Sequence, residues 1–178
     1  MKKVVFAIAC LASIGVSFAA TEVLTVSPDG VGSIRANTPF NQKKVASLLN
    51  EFKVVSAKGM TEGEEYPILK VFDQKGELAV INPSEDRKRI FSIVVVSNRV
   101  KNVLGPKIGD SYDKIYGTSV HKSCSAGTEE MSGRVICQDS KSGRVQYVFN
   151  GVYDGPDGEV PAFEILKNWK IAQIVWKP

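Results

Sequence analysis

The chain has 178 residues, 43% hydrophobic and 24% charged, with 23 Lys and Arg, 19 Asp and Glu, three cysteines and one histidine. That length is ample for one domain with a real core. The surplus of positive charge is only four, and no cluster of Lys and Arg is interleaved with aromatics, which argues against nucleic acid as a partner.

Lys2 and Lys3 precede an almost wholly apolar run over residues 4–16, and Ser17, Phe18 and Ala19 place small residues three and one before a cut. This order of charge, short apolar run and small-residue site is that of a secretion signal. Spanning a membrane takes about 20 apolar residues, and polar Thr21 and Glu22 follow too soon, so no transmembrane segment is expected. Residues 1–19 are read as a cleaved signal peptide and residues 20–178 as a single β-rich periplasmic domain. Without Lys2 and Lys3, 21 basic residues face 19 acidic ones and the surplus falls to two. Cys10, behind Ala7, Ile8 and Ala9, offers a rival lipoprotein site. Only six apolar residues lead up to it and ten apolar or small ones follow, where a lipoprotein carries a polar tether. Lipid anchoring through Cys10 is not expected.

Beyond the signal, residues 22–26 read as a strand or leader, residues 27–30 as a turn and residues 32–36 as a short strand. Thr38 and Pro39 predict a helix start, with Phe40, Val45, Leu48, Leu49 and Phe52 at helical spacing and an end near Asn50. Four strands follow over residues 52–57, 68–73, 77–81 and 89–97, with turns at 73–76 and 82–85. The apolar run from Ile90 to Val96 predicts a central strand covered on both faces. Gly109, Asp110 and Ser111 open a second short helix bearing Tyr112, Ile115 and Tyr116 and stopped by Gly117. Strands at 134–138 and 144–149, a Gly/Pro/Asp loop at 153–161, a helical turn within 162–169 and a last strand at 170–176 complete the chain. Strands outnumber helices about eight to two, which predicts a mainly β fold: an antiparallel β-sandwich or a strongly bent sheet with two short helices.

Two cysteines remain in the mature chain, and in an oxidising compartment Cys124 and Cys137 are expected to form a disulfide. The bridge would tie a loop at Cys124 to the strand beginning at Arg134. A metal site built from His121, Cys124 and Cys137 lacks a second histidine and a Cys-x-x-Cys knuckle. Asp154, Asp157 and Glu159 lie near one another, but without EF-hand spacing they read as a solvated turn rather than a calcium loop. No metal and no cofactor are expected, for phosphate-binding and dinucleotide fingerprints are both missing. Asp110, Ser111 and His121 form the one polar group that could serve a hydrolase or isomerase. A serine hydrolase of the class that opens on Gly-Asp-Ser carries its histidine near the C-terminus, and this chain has none there. Tyr153, Trp169 and Trp176 are candidates for an aromatic binding patch, with core packing as the alternative.

The block Gly155, Pro156, Asp157, Gly158, then Pro161, then Leu166 through Ile171, and finally Ile174, Val175 and Trp176 resembles the C-terminal signature of the sigma-E-regulated envelope lipoprotein family of Gram-negative bacteria, a domain of unknown function (family 1131). Gly30 to Gly32 leading to Thr38 and Pro39, Lys107 to Gly109, and the cysteine pair followed by Tyr147, Phe149 and Gly151 extend the likeness over nearly the whole mature chain. The resemblance implies a mainly β periplasmic domain made under envelope stress, and it brings no catalytic residues. Members of that family are lipoproteins, whereas this signal is of the soluble type, so membrane attachment is not carried over. The expected role is an accessory protein binding another envelope protein or a cell-wall component. The alternatives are a wall-directed hydrolase or isomerase, and an inhibitor of a wall-degrading enzyme that presents the Cys124–Cys137 loop.

Overall fold

From Lys53 onward, β-branched and aromatic residues recur in alternation between tight turns, and this pattern builds the main sheet. The computed structural model describes residues 22–178; residues 1–19, expected to be a signal peptide, and Cys10 among them lie outside the described residues. Three short strands come first, β1 (Thr25–Ser27), β2 (Gly30–Val31) and β3 (Ile34–Arg35), then helix α1 (Gln42–Leu48). A four-strand meander follows: β4 (Lys53–Thr61), β5 (Glu64–Asp73), β6 (Gly76–Pro83) and β7 (Ile90–Val95). Next come β8 (Lys101–Asn102), helix α2 (Tyr112–Tyr116), β9 (Cys124–Ala126), a 3₁₀ turn at Glu129–Met131, β10 (Arg134–Gln138), β11 (Val145–Asn150), helix α3 (Phe163–Leu166) and β12 (Lys170–Trp176).

The strands form two sheets, as the sequence pattern predicts. A small one runs β3-β2-β1-β8 and a large one β4-β5-β6-β7-β12-β11-β10-β9. Pairing is antiparallel except between β1 and β8. The large sheet is two meanders joined at their inner edges, where the C-terminal strand β12 pairs with β7 (Ile174 opposite Val95) on one side and with β11 on the other. Two residues, Glu62 and Gly63, turn β4 into β5, both at positive φ, as a hairpin that follows strand twist requires. The sheet bends far enough that Thr61, at the end of β4, donates to Glu130 beyond the opposite edge strand β9 (2.5 Å).

The core lies between the inner face of this bent sheet and the small sheet with α1. Val26, Val31, Ile34, Val45 and Leu49 meet Ile81, Ile93, Val95, Tyr147, Phe149, Ile174 and Trp176, all buried. Each such side chain gains about 1.5–3 kcal/mol from leaving water. Trp176 also donates from Nε1 to the Pro28 carbonyl (3.2 Å), fastening the small sheet to the middle of the large one.

Local signals misplace several elements. Helix α1 starts at Gln42 with Asn41 as its cap, accepting from the Lys44 amide (2.9 Å), rather than at Thr38 and Pro39. Thr38 Oγ1 instead accepts from the Arg35 amide, and Pro39 bridges to Arg89. Asn82 and Pro83 continue β6 instead of turning. Strand β7 is central and five of its six residues are buried or half-buried, but a bulge opposite Pro83 turns Phe91 outward, 56% exposed, beneath the Lys177 ammonium. Cys124 sits in a strand rather than a loop, and α3 raises the count of helices to three.

Candidate functional site

Helix α2 is held at both ends. Ser111 is its N-cap residue and Gly117, at φ 76, ends it. The amide of Tyr112 donates to the Trp169 carbonyl (2.8 Å), which ties α2 to the start of β12. Tyr112 is fully buried, and its hydroxyl accepts from the His121 amide (2.7 Å) and lies 3.5 Å from Cys124 Sγ. One tyrosine thereby links the helix, the His121 loop and the disulfide. Burial raises its pKa, so the phenol keeps its proton.

Cys124 and Cys137 are bonded to each other, paired directly across β9 and β10 with their Cα atoms 4.0 Å apart. Both thiols are thereby consumed, which leaves His121 without the two sulfur ligands of a metal set. Among the described residues no three His, Cys, Asp or Glu side chains converge on a metal position. Asp157 accepts from Ser132 (2.5 Å).

Between α2, the loop before it and the β10–β11 turn lies a cleft of about 480 Å³. Leu104, Pro106, Lys107 and Asp110 form one wall, Ile115, Tyr116 and His121 the floor, and Asp139, Ser140, Lys141 and Tyr147 the other wall. Asp110 and His121 thus share this cleft, as their selection from the sequence requires, but Ser111 is turned away: its hydroxyl donates to Asp113 (2.5 Å). His121 Nδ1 is engaged by Ser123, through its hydroxyl (2.7 Å) and its amide (3.2 Å). The hydrogen bonds therefore pair His121 with Ser123 and not with Ser111. Asp110 is held as a carboxylate, its pKa lowered chiefly by the Lys114 ammonium at 2.5 Å and by the Lys107 amide.

The residues that sequence reasoning passed over give the cleft its chemistry. The Tyr116 ring lies over His121 with centroids 5.0 Å apart. Its hydroxyl is the buried side-chain polar atom without a hydrogen-bond partner among the described residues. Tyr147 donates to Asp139 (2.8 Å) and accepts from Asn102 (3.2 Å). Burial first, then the nearby Asp139 carboxylate, pushes both phenols well above their ordinary range. A faint signal was available: Tyr112 with Tyr116 on the short helix, and Asp110 just before it with Lys114 on it, are pairs four apart.

The expected aromatic patch does not reach the surface. Trp176 is fully buried, Trp169 is 6% exposed, and only Tyr153 is half-buried beside a small cavity under the 155–158 loop. Both tryptophans flank or occupy β12, and a strand at the centre of the sheet turns its large side chains into the core. No helix among the described residues is long and apolar enough to cross a membrane.

Comparison with known proteins agrees with this architecture. The uncharacterized protein YfeY of Escherichia coli (strain K12) is 28% identical over 153 residues, which is 85% of this chain and 78% of YfeY. The crystal structure of that uncharacterized protein from Escherichia coli matches with a TM-score of 0.70 at 27% identity, covering 86% of this chain and 99% of that one. The family described as "Protein of unknown function (DUF1131)" matches residues 13–178, and the chain belongs to it.

Proposed function

We propose that this protein works outside the cytoplasm as a periplasmic accessory protein, binding another envelope protein or a cell-wall component through the cleft beside α2. The observation that carries the reading is the position of the disulfide. It locks β9 to β10 directly below the His121 loop, and Tyr112 touches both, so one wall of the cleft is braced covalently. Such bonds persist in oxidising compartments. A braced, preformed cleft also loses little freedom when it is filled, which favours recognition. The cleft has the size of a small-molecule site, about 300–1,000 Å³.

A photoreactive side chain at Ser140, on the cleft, is compared in living cells with one at Met60, 68% exposed in the β4–β5 hairpin. Discrete adducts from position 140 and none from position 60 are the expected result. Identical adducts at both positions, or none at either, would overturn the reading. Free thiols at Cys124 and Cys137 in protein taken straight from cells would overturn the location.

A further inference from the structure

We propose that the cleft takes an acidic carbohydrate, meaning a sugar ring that bears a carboxylate or a phosphate. This rests on the cleft being a recognition site and names the ligand class. Three lysines border it on two separate segments. Lys114 is neutralised by Asp110, but Lys107 and Lys141 make no ion pair among the described residues. Asp139 accepts from the Tyr147 hydroxyl and the Lys141 amide (2.8 Å) and makes no ion pair with either lysine, so three lysines face two carboxylates and the cleft keeps a positive surplus of one. Two ammonium groups on the rim are left for an incoming anion.

The floor narrows the choice. Tyr116 and His121 are tilted against each other and flanked by Ile115 and Leu104, a surface that suits the C–H face of a sugar ring. An apolar ligand would gain nothing from the two ammonium groups, and a bare inorganic anion nothing from the aromatic pair. A polar ring with an acidic substituent matches both parts.

Calorimetry on the purified protein, with the cleft amides followed by NMR, tests this with four probes. N-acetylmuramic acid carries the ring and a carboxylate, and glucose 6-phosphate carries the ring and a phosphate. N-acetylglucosamine supplies a neutral ring, and inorganic phosphate an anion with no ring. At least one acidic sugar should bind saturably, ten-fold or more tighter than either control, and the tighter of the two identifies the acidic group. Lys107→Gln with Lys141→Gln, both exposed positions, should weaken binding ten-fold or more and leave the unfolding midpoint in place. The proposal falls if the neutral sugar binds equally well, if the double variant binds like the parent, or if neither acidic sugar saturates. Cleft-specific adducts in cells together with no acidic-sugar binding would sink this ligand class and leave the proposed function standing.

Discussion

Gly151→Ala offers a sharp test of how β11 and β12 fit together. A Cβ at Gly151 would lie 2.2–2.4 Å from three atoms of the Trp169 indole, Nε1, Cε2 and Cδ1. Ordinary carbon contacts are about 3.5 Å, so the ring or the strand end must retreat by more than about 1 Å. Trp169 is 6% exposed and packed against the core, so it has nowhere easy to go. Backbone strain plays no part, because φ at Gly151 is not positive. Overpacking of this kind costs about 1–3 kcal/mol, and the stiffer unfolded chain returns about 0.4–1. A net loss of about 1–2 kcal/mol is expected in urea unfolding followed by far-ultraviolet dichroism. Trp169→Ala alone should cost about 3–5 kcal/mol, and adding Gly151→Ala to it should cost nothing further or restore up to about 1. The reasoning fails if Gly151→Ala costs the same in both backgrounds, within the roughly 0.5 kcal/mol over which independent sites add.

Titration in alkali provides a second check. Tyr112, Tyr116 and Tyr147 have raised pKa values, so their contribution to stability is intact below a free phenol's pKa and lost only as pH climbs past the folded values. Phenolate absorbance should show three of the five tyrosines ionising only as the fold gives way; five ionising together near pH 10 would contradict this. At the acid end, Asp73 is held below the ordinary carboxyl range by its two hydrogen bonds to Arg99, so its contribution is present above that range and lost as pH falls through the folded value. The melting temperature of Asp73→Asn should therefore lie below the parent's at neutral pH and converge on it as pH falls below the ordinary carboxyl range; a constant gap would refute the pairing. Replacing Cys124 and Cys137 by Ala opens a loop of 13 residues' separation and should cost about 3 kcal/mol on chain-entropy grounds, read from urea unfolding. A loss that vanishes in the presence of reductant, because the parent falls to the same stability, identifies the bond itself as the cause.

Strands β10 and β12 were legible to the residue, since apolar residues alternate between clear turns on either side. Helix α2 was equally plain, with Asp and Ser before it and Gly117 behind. Helix α1 was mislocated because Thr38 followed by Pro39 satisfies every local rule for a start. Only the pairing of Pro39 with Arg89, fifty residues away, decides otherwise. The exposure of Phe91 on β7 was not legible, because a single-residue bulge reverses its side and hydrophobicity carries no sign of which side that is. Asp110 and His121 were singled out because titratable residues draw attention singly. Tyr116 entered only as a helix residue, Tyr147 and Lys107 only through the family likeness, and nothing drew attention to Lys114 or Lys141. What unites them is the docking of α2 and the loop before it on β11 and β12, through Tyr112 to Trp169 and Asn102 to Tyr147, a tertiary event with no local trace.

The topology also separates what the family relationship can explain from what it cannot. The C-terminal block that carries the resemblance supplies Trp169, Ile171, Ile174 and Trp176, all in the core, and Gly155, whose added Cβ would strike the Tyr153 ring. These residues are needed because β12 joins the two meanders; take it away and the large sheet parts between β7 and β11. The likeness in that block is a likeness in folding. The cleft draws on residues 104–121 and 139–147, where the quoted resemblance touches it only around Lys107 and at Tyr147. A relative can share the whole block and hold different charges around its cleft, since exchanging exposed lysines at positions 107 or 141 disturbs no packed contact. Ligand choice is therefore free to vary on a constant scaffold, and the cleft's chemistry has to be measured on each chain in its own right.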